Sequence, residues 1–519
     1  MRHRNRRRLL RSAGAALAAG VLIGVASTTS SAAPAPAAGQ SRTDTSTPVS
    51  APASATLSAA RTPSADQAVT VNAGISAADL DRLHKGEKPK GGLKAVPLPS
   101  AKSTLPKETF QQAADAARAR IKSQAATRLA DVPPSSTPPA PIKEDPNPEL
   151  LRQCLDGSES GPYGHYINRY AFCLSQKVTV RYYVIHSDAP PEYHATTRFT
   201  YQLFAQGDNH YRHIRVWGRM KQGSADYDWP WWDDLWQTPK IVQLSMSGEC
   251  DGAELECSGT SGTVTLPFNS WDHDPRWNHF DIADSSDSYG SAQGRDQIAY
   301  HRWFLQFTSQ GEGYSTLVPG RGAATRMRCD SAKYISAGQQ KSCLFSDSLP
   351  VLNYYATSGS PTEMVAKHIA DAQYHPDTTY PLTAPPGTPN PRSKQIPGAV
   401  LNAPLHRIKN TDAAWKENQR HKDMACKDTG DYKGLGLPPD KQPDKSKQEQ
   451  CDEYPFRATL EGASSPDWDF SVRAVPRSDN ASAGSRLKLY YLHERILSWD
   501  PTLPDPADSN DWYWVNINY

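Results

Sequence analysis

Eight cysteines fall along this chain as four near-neighbour pairs: Cys154 with Cys173, Cys250 with Cys257, Cys329 with Cys343, and Cys426 with Cys451. None has the Cys-x-x-Cys spacing of a structural zinc site or a redox dithiol. An even count in an exported chain favours disulfides. Neighbour pairing is the simplest connectivity, although spacing alone leaves the others open.

Crosslinks of this kind need an oxidising compartment, and the start of the chain supplies a route to one. An arginine-rich run from Arg2 to Arg11 leads into an apolar stretch from Ala13 to Ala26, followed by small residues around Ala32 and Ala33. That order is the pattern of a cleavable export signal, expected over residues 1–32. The apolar stretch is well short of the ~20 residues that span a bilayer. The expectation is a secreted, extracellular monomer with no membrane association after cleavage.

Residues 33–148 read as an Ala/Pro/Ser/Thr-rich disordered tail carrying one helix at about 105–130. Ala33 to Pro63 in particular cannot bury enough apolar surface to offset chain entropy. The Ala-rich helix is weakly amphipathic, so it reads as a stalk rather than as part of a core. Two proline-rich stretches, Pro133 to Pro148 and Pro381 to Pro397, read as linkers, the second placed between domains at 377–398. The 57 Lys and Arg nearly balance the 55 Asp and Glu. Charge therefore neither points to a nucleic-acid ligand nor excludes one.

Residues 149–376 carry short β-branched and aromatic runs, among them "KVTVRYYVIH", "TTRFTYQLFAQ" and "HYRHIRVWGRM", separated by turn residues. The spacing predicts an antiparallel sandwich or barrel, closed by a helix near "PTEMVAKHIADAQYH". Trp229, Trp231, Trp232 and Trp236 are read as packing rather than as a sugar-stacking surface. His273, Asp274, His279 and Asp281 are read as solvent-facing rather than metal-binding. His210 and His213, an odd number apart, would face opposite sides of one strand.

Residues 399–519 read as helix, strand, strand, helix, strand. "NTDAAWKENQRHKDMAC" gives the first helix, and a Lys/Pro-rich insertion follows it. Tyr454 and Phe456 alternate as on a strand, as do Phe470, Val472 and Ala474 before Pro476. Ser478, Asp479 and Asn480 are N-cap residue types. Leu489, Leu492 and Ile496 predict the buried face of the next helix, and Trp512, Trp514, Val515 and Ile517 a closing strand. A hairpin laid across a helix would put Asp452 beside Asn480 at the helix N-terminus, where an anion is welcome. A divalent cation on oxygen ligands could neutralise charge there. On residue type alone, Asp and Asn at such positions are ordinary structural residues.

The motifs "CDEYPF", the downstream "EG" and "VPRSDNASAGS" resemble those of the NucA/NucB-type secreted deoxyribonucleases, from about Cys451 to the C-terminus. Cys329, Cys343 and "AKHIADAQ" also resemble features of longer members. The resemblance implies a ββα-metal-type nuclease domain, hence an α+β chain with a β-rich accessory domain before it. It implies Asp452 as general base in place of the usual histidine, and Asn480 as metal ligand. Glu461 matches the family's glutamate after the hairpin strand, placed to orient water or contact the metal. Glu453 shares the first motif, although strand alternation points it away from the site. The implied cofactor is Mg2+ or Mn2+, and the implied substrate is DNA. His493 and Glu494 on the following helix are assigned to the surface. Arg457 and the Ala-Ser after Asn480 depart from the small members' pattern, with Arg457 read as a phosphate ligand or an exposed strand residue.

The leading expectation is a metal-dependent endonuclease of low sequence preference. One alternative is a wall- or polysaccharide-binding protein, contacting wall polymer through its β-rich domain and carrying an inactive nuclease-like domain. Another is a nuclease toxin with an immunity partner.

Overall fold

The computed structural model describes residues 69–91, 93, 108–128, 139, 141–156, 164–235, 238–251, 256–335, 339–400, 402–503 and 511–519. All of these lie within one compact unit, Pro63–Tyr519. The expected export signal, the spacer to Pro63, the first part of the Pro133–Pro148 linker and Trp236 lie outside the described residues.

The β-rich region is built from two sheets that enclose one apolar core. The first, nine-stranded, runs Ser315–Val318, Val69–Ser76, Ala171–Ile185, Glu192–Gly207, His213–Met220, Asn278–Asp284 and Cys257–Gly259, with two short flanking strands. The second, six-stranded, has Ala299–Gln310 at its centre between Gln243–Cys250 and Thr325–Asp330. Val180, Tyr201 and Val216 from the first sheet meet Leu244, Phe307 and Met327 from the second. The long strands alternate inward apolar and outward polar residues, the pattern that buries one face of a pleated sheet.

Two parts of the expected tail belong to this region. Val69–Ser76 pairs parallel with Ala171–Ile185 and antiparallel with Ser315–Val318. Val69, Val71, Ala73 and Ile75 point into the core. This period-2 run is short and preceded by a low-complexity stretch, which hides it in the sequence. The helix Phe110–Arg128 is no free stalk either. Ala113, Ala114, Ala117 and Ile121 are buried, Phe110 packs edge-on against Tyr300, and Glu108 just before it bonds Arg326. Alanines let its backbone approach the sheet closely, so a weak hydrophobic pattern is enough.

All four cysteine pairs are joined as nearest neighbours, and none of the described cysteines is free. Cys426–Cys451 ties the helix Ala413–Lys427 to the strand Glu449–Tyr454, one residue before Asp452. Among the described residues no helix is long and apolar enough to cross a membrane.

The C-terminal core starts earlier than residue 399. The strand Val351–Tyr355 pairs in parallel with the closing strand Trp514–Asn518. The helix Glu363–Tyr374 buries Val365, Ala366, Ile369 and Ala372 in the same apolar cluster as Tyr454, Leu487 and Val515. Both lie within residues 149–376, which the sequence assigns to the β-rich region, and the helix is the one expected to close it. The proline-rich 377–398 stretch is packed rather than a spacer. Tyr380 bridges to Val472, Arg392 pairs with Asp469 at 2.7 Å, and Ile396 is in the core.

The strands Glu449–Tyr454 and Ser471–Pro476 form a two-stranded antiparallel sheet, with Asp452 opposite Arg473. The helix Arg477–His493 follows without a loop and is capped by Pro476, not by Ser478, Asp479 or Asn480, which occupy its first turn. Asp479 instead accepts a hydrogen bond from the backbone N–H of Met364, in the first turn of the 363–374 helix. The buried face is Ala483, Leu487, Tyr490 and Tyr491, a helical i, i+4, i+7, i+8 stripe. Of the stripe expected from Leu489, Leu492 and Ile496, Leu489 is 49% exposed and Leu492 half-buried, while Ile496 is buried in the core but lies beyond the end of the helix. The tyrosines, amphipathic on paper, are what the core takes.

Candidate active site

A cavity of about 810 Å3 opens between the hairpin, the start of the 477–493 helix, the segment from Arg407 to Thr411 and the 413–427 helix. Tyr334 and Ile335 from the β-rich region close one side. Three of the four expected site residues, Asp452, Glu453 and Asn480, line it together.

Asp452 sits on the inward face of its strand and is nearly buried. Its Oδ2 lies 2.7 Å from Nδ1 of His368, a fully buried side chain in the middle of the 363–374 helix. His368 Nε2 in turn lies 2.8 Å from the Ser471 hydroxyl on the second hairpin strand. A carboxylate can only accept, so Nδ1 carries the proton in this contact. The sequence assigns His368 no role; its traces there are a histidine amid apolar helical residues and its place in "AKHIADAQ", the stretch that resembles longer members of the family.

Glu453 lines the cavity despite its alternate position on the strand. Burial pushes its carboxyl up to about 7, against the opposing pull of Lys422 and with a further rise from Asp452. The Lys422 ammonium is 3.9 Å away. Asn480 donates from its amide nitrogen to Gln450 Oε1 at 3.1 Å, an orientation that leaves its carbonyl oxygen for another partner.

Glu461 is not among the residues lining the cavity. It is buried, accepts from His406 Nδ1 at 2.7 Å and from the His406 backbone N–H at 2.9 Å. It thereby pins the segment whose next residues, Arg407 to Lys409, form a wall of the cavity. His493 and Glu494 are buried, not at the surface, because the chain turns into the β-rich region directly after this helix. Burial lowers the His493 imidazole below its ordinary value.

Positive charge surrounds the acid pair. Arg407, Lys409, Lys422, Arg457 and Lys488 all line the cavity. Arg457, beyond the end of the strand, lies over the Trp415 ring at 3.9 Å and bonds Gln419. Arg407 lies 5.2 Å and Lys409 4.2 Å from the Tyr334 ring. A balanced overall charge thus conceals a local cationic rim.

Among the described residues no group of three or more His, Cys, Asp or Glu is arranged to hold a metal. His273 is bonded to the Asn269 carbonyl, Asp274 to Arg276, and Asp281 to Arg215 and His213. The cavity itself offers the Asn480 carbonyl oxygen and the Asp452 and Glu453 carboxyls. These are hard oxygen donors of the kind a Mg2+ ion takes when most of its shell is water and phosphate. Of the tryptophans, Trp229 packs against Tyr182 and Tyr314, whereas Trp231 and Trp232 are 70% and 42% exposed.

A hairpin that runs directly into a helix, with acid and amide side chains meeting under a cationic rim, defines a site suited to anionic substrates. Residues 401–498 match the family model of Deoxyribonuclease NucA/NucB. The C-terminal region therefore carries a NucA/NucB-type domain, and Asp452, Glu453, Glu461 and Asn480 all fall inside the matched stretch. His368 and the 351–355 strand fall outside it. Comparison with curated proteins and with solved structures found no match.

Proposed function

We propose that this chain is a secreted, divalent-metal-dependent endonuclease that hydrolyses DNA phosphodiester bonds with low sequence specificity, using the hairpin and helix as a ββα-metal-type site. The observation that carries the reading is the meeting of Asp452 and Asn480 in one cation-rimmed cavity, within the stretch matched by the deoxyribonuclease family.

In this reading Asp452 takes a proton from a water molecule, whose oxygen attacks phosphorus as the bond to the leaving oxygen breaks. Asn480 would hold Mg2+ or Mn2+ through its carbonyl oxygen, and such an ion would supply charge neutralisation at the leaving oxygen. Glu453, poised near neutrality, is suited to return a proton to that oxygen. Arg407, Lys409, Arg457 and Lys488 bind the phosphates on either side. They contact backbone rather than base edges, and such contacts carry no sequence information directly. Four disulfides suit an oxidising, extracellular setting.

The test is plasmid cleavage by the purified mature chain with Mg2+ or Mn2+, against EDTA and an Asp452→Ala control. Cleavage lost in both controls is expected. Intact plasmid under every metal tried, with folded protein, would move the reading to wall-polymer binding through the face that exposes Trp231 and Trp232.

A further inference from the structure

We propose that His368 is a positioning residue for Asp452, holding one carboxylate oxygen so that the other is presented to the cavity. This rests on the reading of Asp452 as the general base, and it draws the working site beyond the family-matched stretch, into the 363–374 helix.

The geometry is a three-member chain across three elements. Asp452 comes from the first hairpin strand, Ser471 from the second, and His368 from the helix packed against both. Ser471 and His368 have no solvent exposure, so Ser471 cannot reach a phosphate and the chain is no nucleophilic triad. Its open end is Asp452, which lines the cavity. Oδ2 is taken by His368, and Oδ1 has no protein partner among the described residues. A carboxylate on a strand otherwise rotates about two side-chain bonds. A charge-assisted bond at 2.7 Å to a buried imidazole, itself held at its far nitrogen, removes that freedom. Placing a base within hydrogen-bond reach of the attacking water is where the rate is gained or lost. His368 touches neither water nor phosphate in this scheme. Its effect belongs in kcat and not in DNA binding.

The experiment is steady-state cleavage of duplex DNA by the purified full chain with Mg2+, comparing wild type, Asp452→Asn, His368→Leu, His368→Asn and Ser471→Ala. Each protein is first checked for folding by circular dichroism. His368→Leu is expected to lose roughly tenfold to a hundredfold in kcat with KM within about twofold. His368→Asn, whose amide can donate near the Nδ1 position, is expected to recover to within about threefold of wild type. Ser471→Ala, which frees the imidazole, is expected to lose about threefold to tenfold.

Folded His368→Leu at wild-type kcat beside an inactive Asp452→Asn would overturn the positioning role and leave Asp452 as base. His368→Asn as impaired as His368→Leu would overturn it too, because a packing role has no use for the donor. If His368→Leu does not fold, His368→Asn and Ser471→Ala decide: wild-type kcat in Ser471→Ala, or severe loss in His368→Asn, rejects the proposal. An active Asp452→Asn would remove the reading of the base, and the positioning role with it.

Discussion

Arg495, at the end of the 477–493 helix, donates from Nε and Nη2 to both carboxylate oxygens of Asp330 at 2.8–3.0 Å. Asp330 belongs to the β-rich region, and both side chains are essentially without solvent exposure. Arg495 also donates to the carbonyls of Gln339 and Gln340, and its backbone is left-handed, at φ 47°. Alongside it Arg328 pairs with Asp330 and Asp511, and Arg169 with Asp511. The two cores are thus joined through a buried ionic network, which explains why the β-rich region can contribute a wall to the cavity.

Removing one member leaves a buried charge without its partner, which costs more than the pair itself contributes. Arg495→Met is expected to destabilise the chain by about 3–5 kcal/mol in urea unfolding. Arg495→Met combined with Asp330→Leu should cost less than the single change. Burial alone would raise the Asp330 carboxyl, but Arg495 and Arg328 pull it below its ordinary value. Its contribution is therefore present above the unfolded carboxylate range and is lost as pH falls through the depressed folded value. Equal stability of wild type and Arg495→Met near neutral pH would contradict this account.

Glu453 should leave the opposite trace. Its carboxyl rises from 4.5 to about 7 on folding, so the folded state binds the proton more tightly than the unfolded state. Its stabilising share is complete below pH 4.5 and disappears as pH rises to about 7. In EDTA, Glu453→Gln should flatten the fall in stability across that window and stabilise the protein on the order of 2 kcal/mol at pH 8. Thermal melts of both proteins over the range give the comparison, and parallel curves would count against it.

Glu461 acts through the segment it holds. Glu461→Gln keeps an acceptor for the His406 backbone but loses the charged contact to the ring. Lower stability by about 1–3 kcal/mol is expected, with a rise in KM for DNA larger than the change in kcat. A collapse of kcat at unchanged KM and stability would instead place Glu461 in the chemistry.

Tyr334 tests the wall. Its hydroxyl donates to Asp296 at 2.6 Å and accepts from the Ser498 N–H at 2.7 Å, fixing the ring beside Arg407 and Lys409. Replacing it with leucine removes cation–π contacts of about 1 kcal/mol. That corresponds to roughly a fivefold rise in KM, with kcat little changed and a shallower dependence of binding on salt. A titration of DNA affinity against NaCl measures it, and an unchanged slope would separate the β-rich region from substrate binding.

Local patterns in the chain specified a good deal. Alternation marked the long strands of the β-rich region, because a half-buried pleated surface imposes period 2. In the hairpin it misled, since Phe456 lies beyond the strand Glu449–Tyr454 and the strand Ser471–Pro476 buries Ser471, Val472 and Val475 rather than every second residue. Near-neighbour cysteine spacing marked all four disulfides, and the motif residues from Cys451 to Ser485 include Asp452, Glu453 and Asn480, which line the candidate site's cavity. These are short-range signals, carried by residues a few positions apart.

Tertiary structure decided the rest. Nothing local shows that Val69–Ser76 inserts beside a strand a hundred residues later, or that Val351–Tyr355 pairs with the last strand of the chain. His368 and Asp452 are 84 positions apart in sequence, and Asp330 and Arg495 are 165. Each is polar and would be solvated on an isolated element; burial and a partner from another element give it a role. The sequence by itself determined which residues could do chemistry. Packing chose which of them meet, since a buried polar group is tolerated only where the fold brings it a partner.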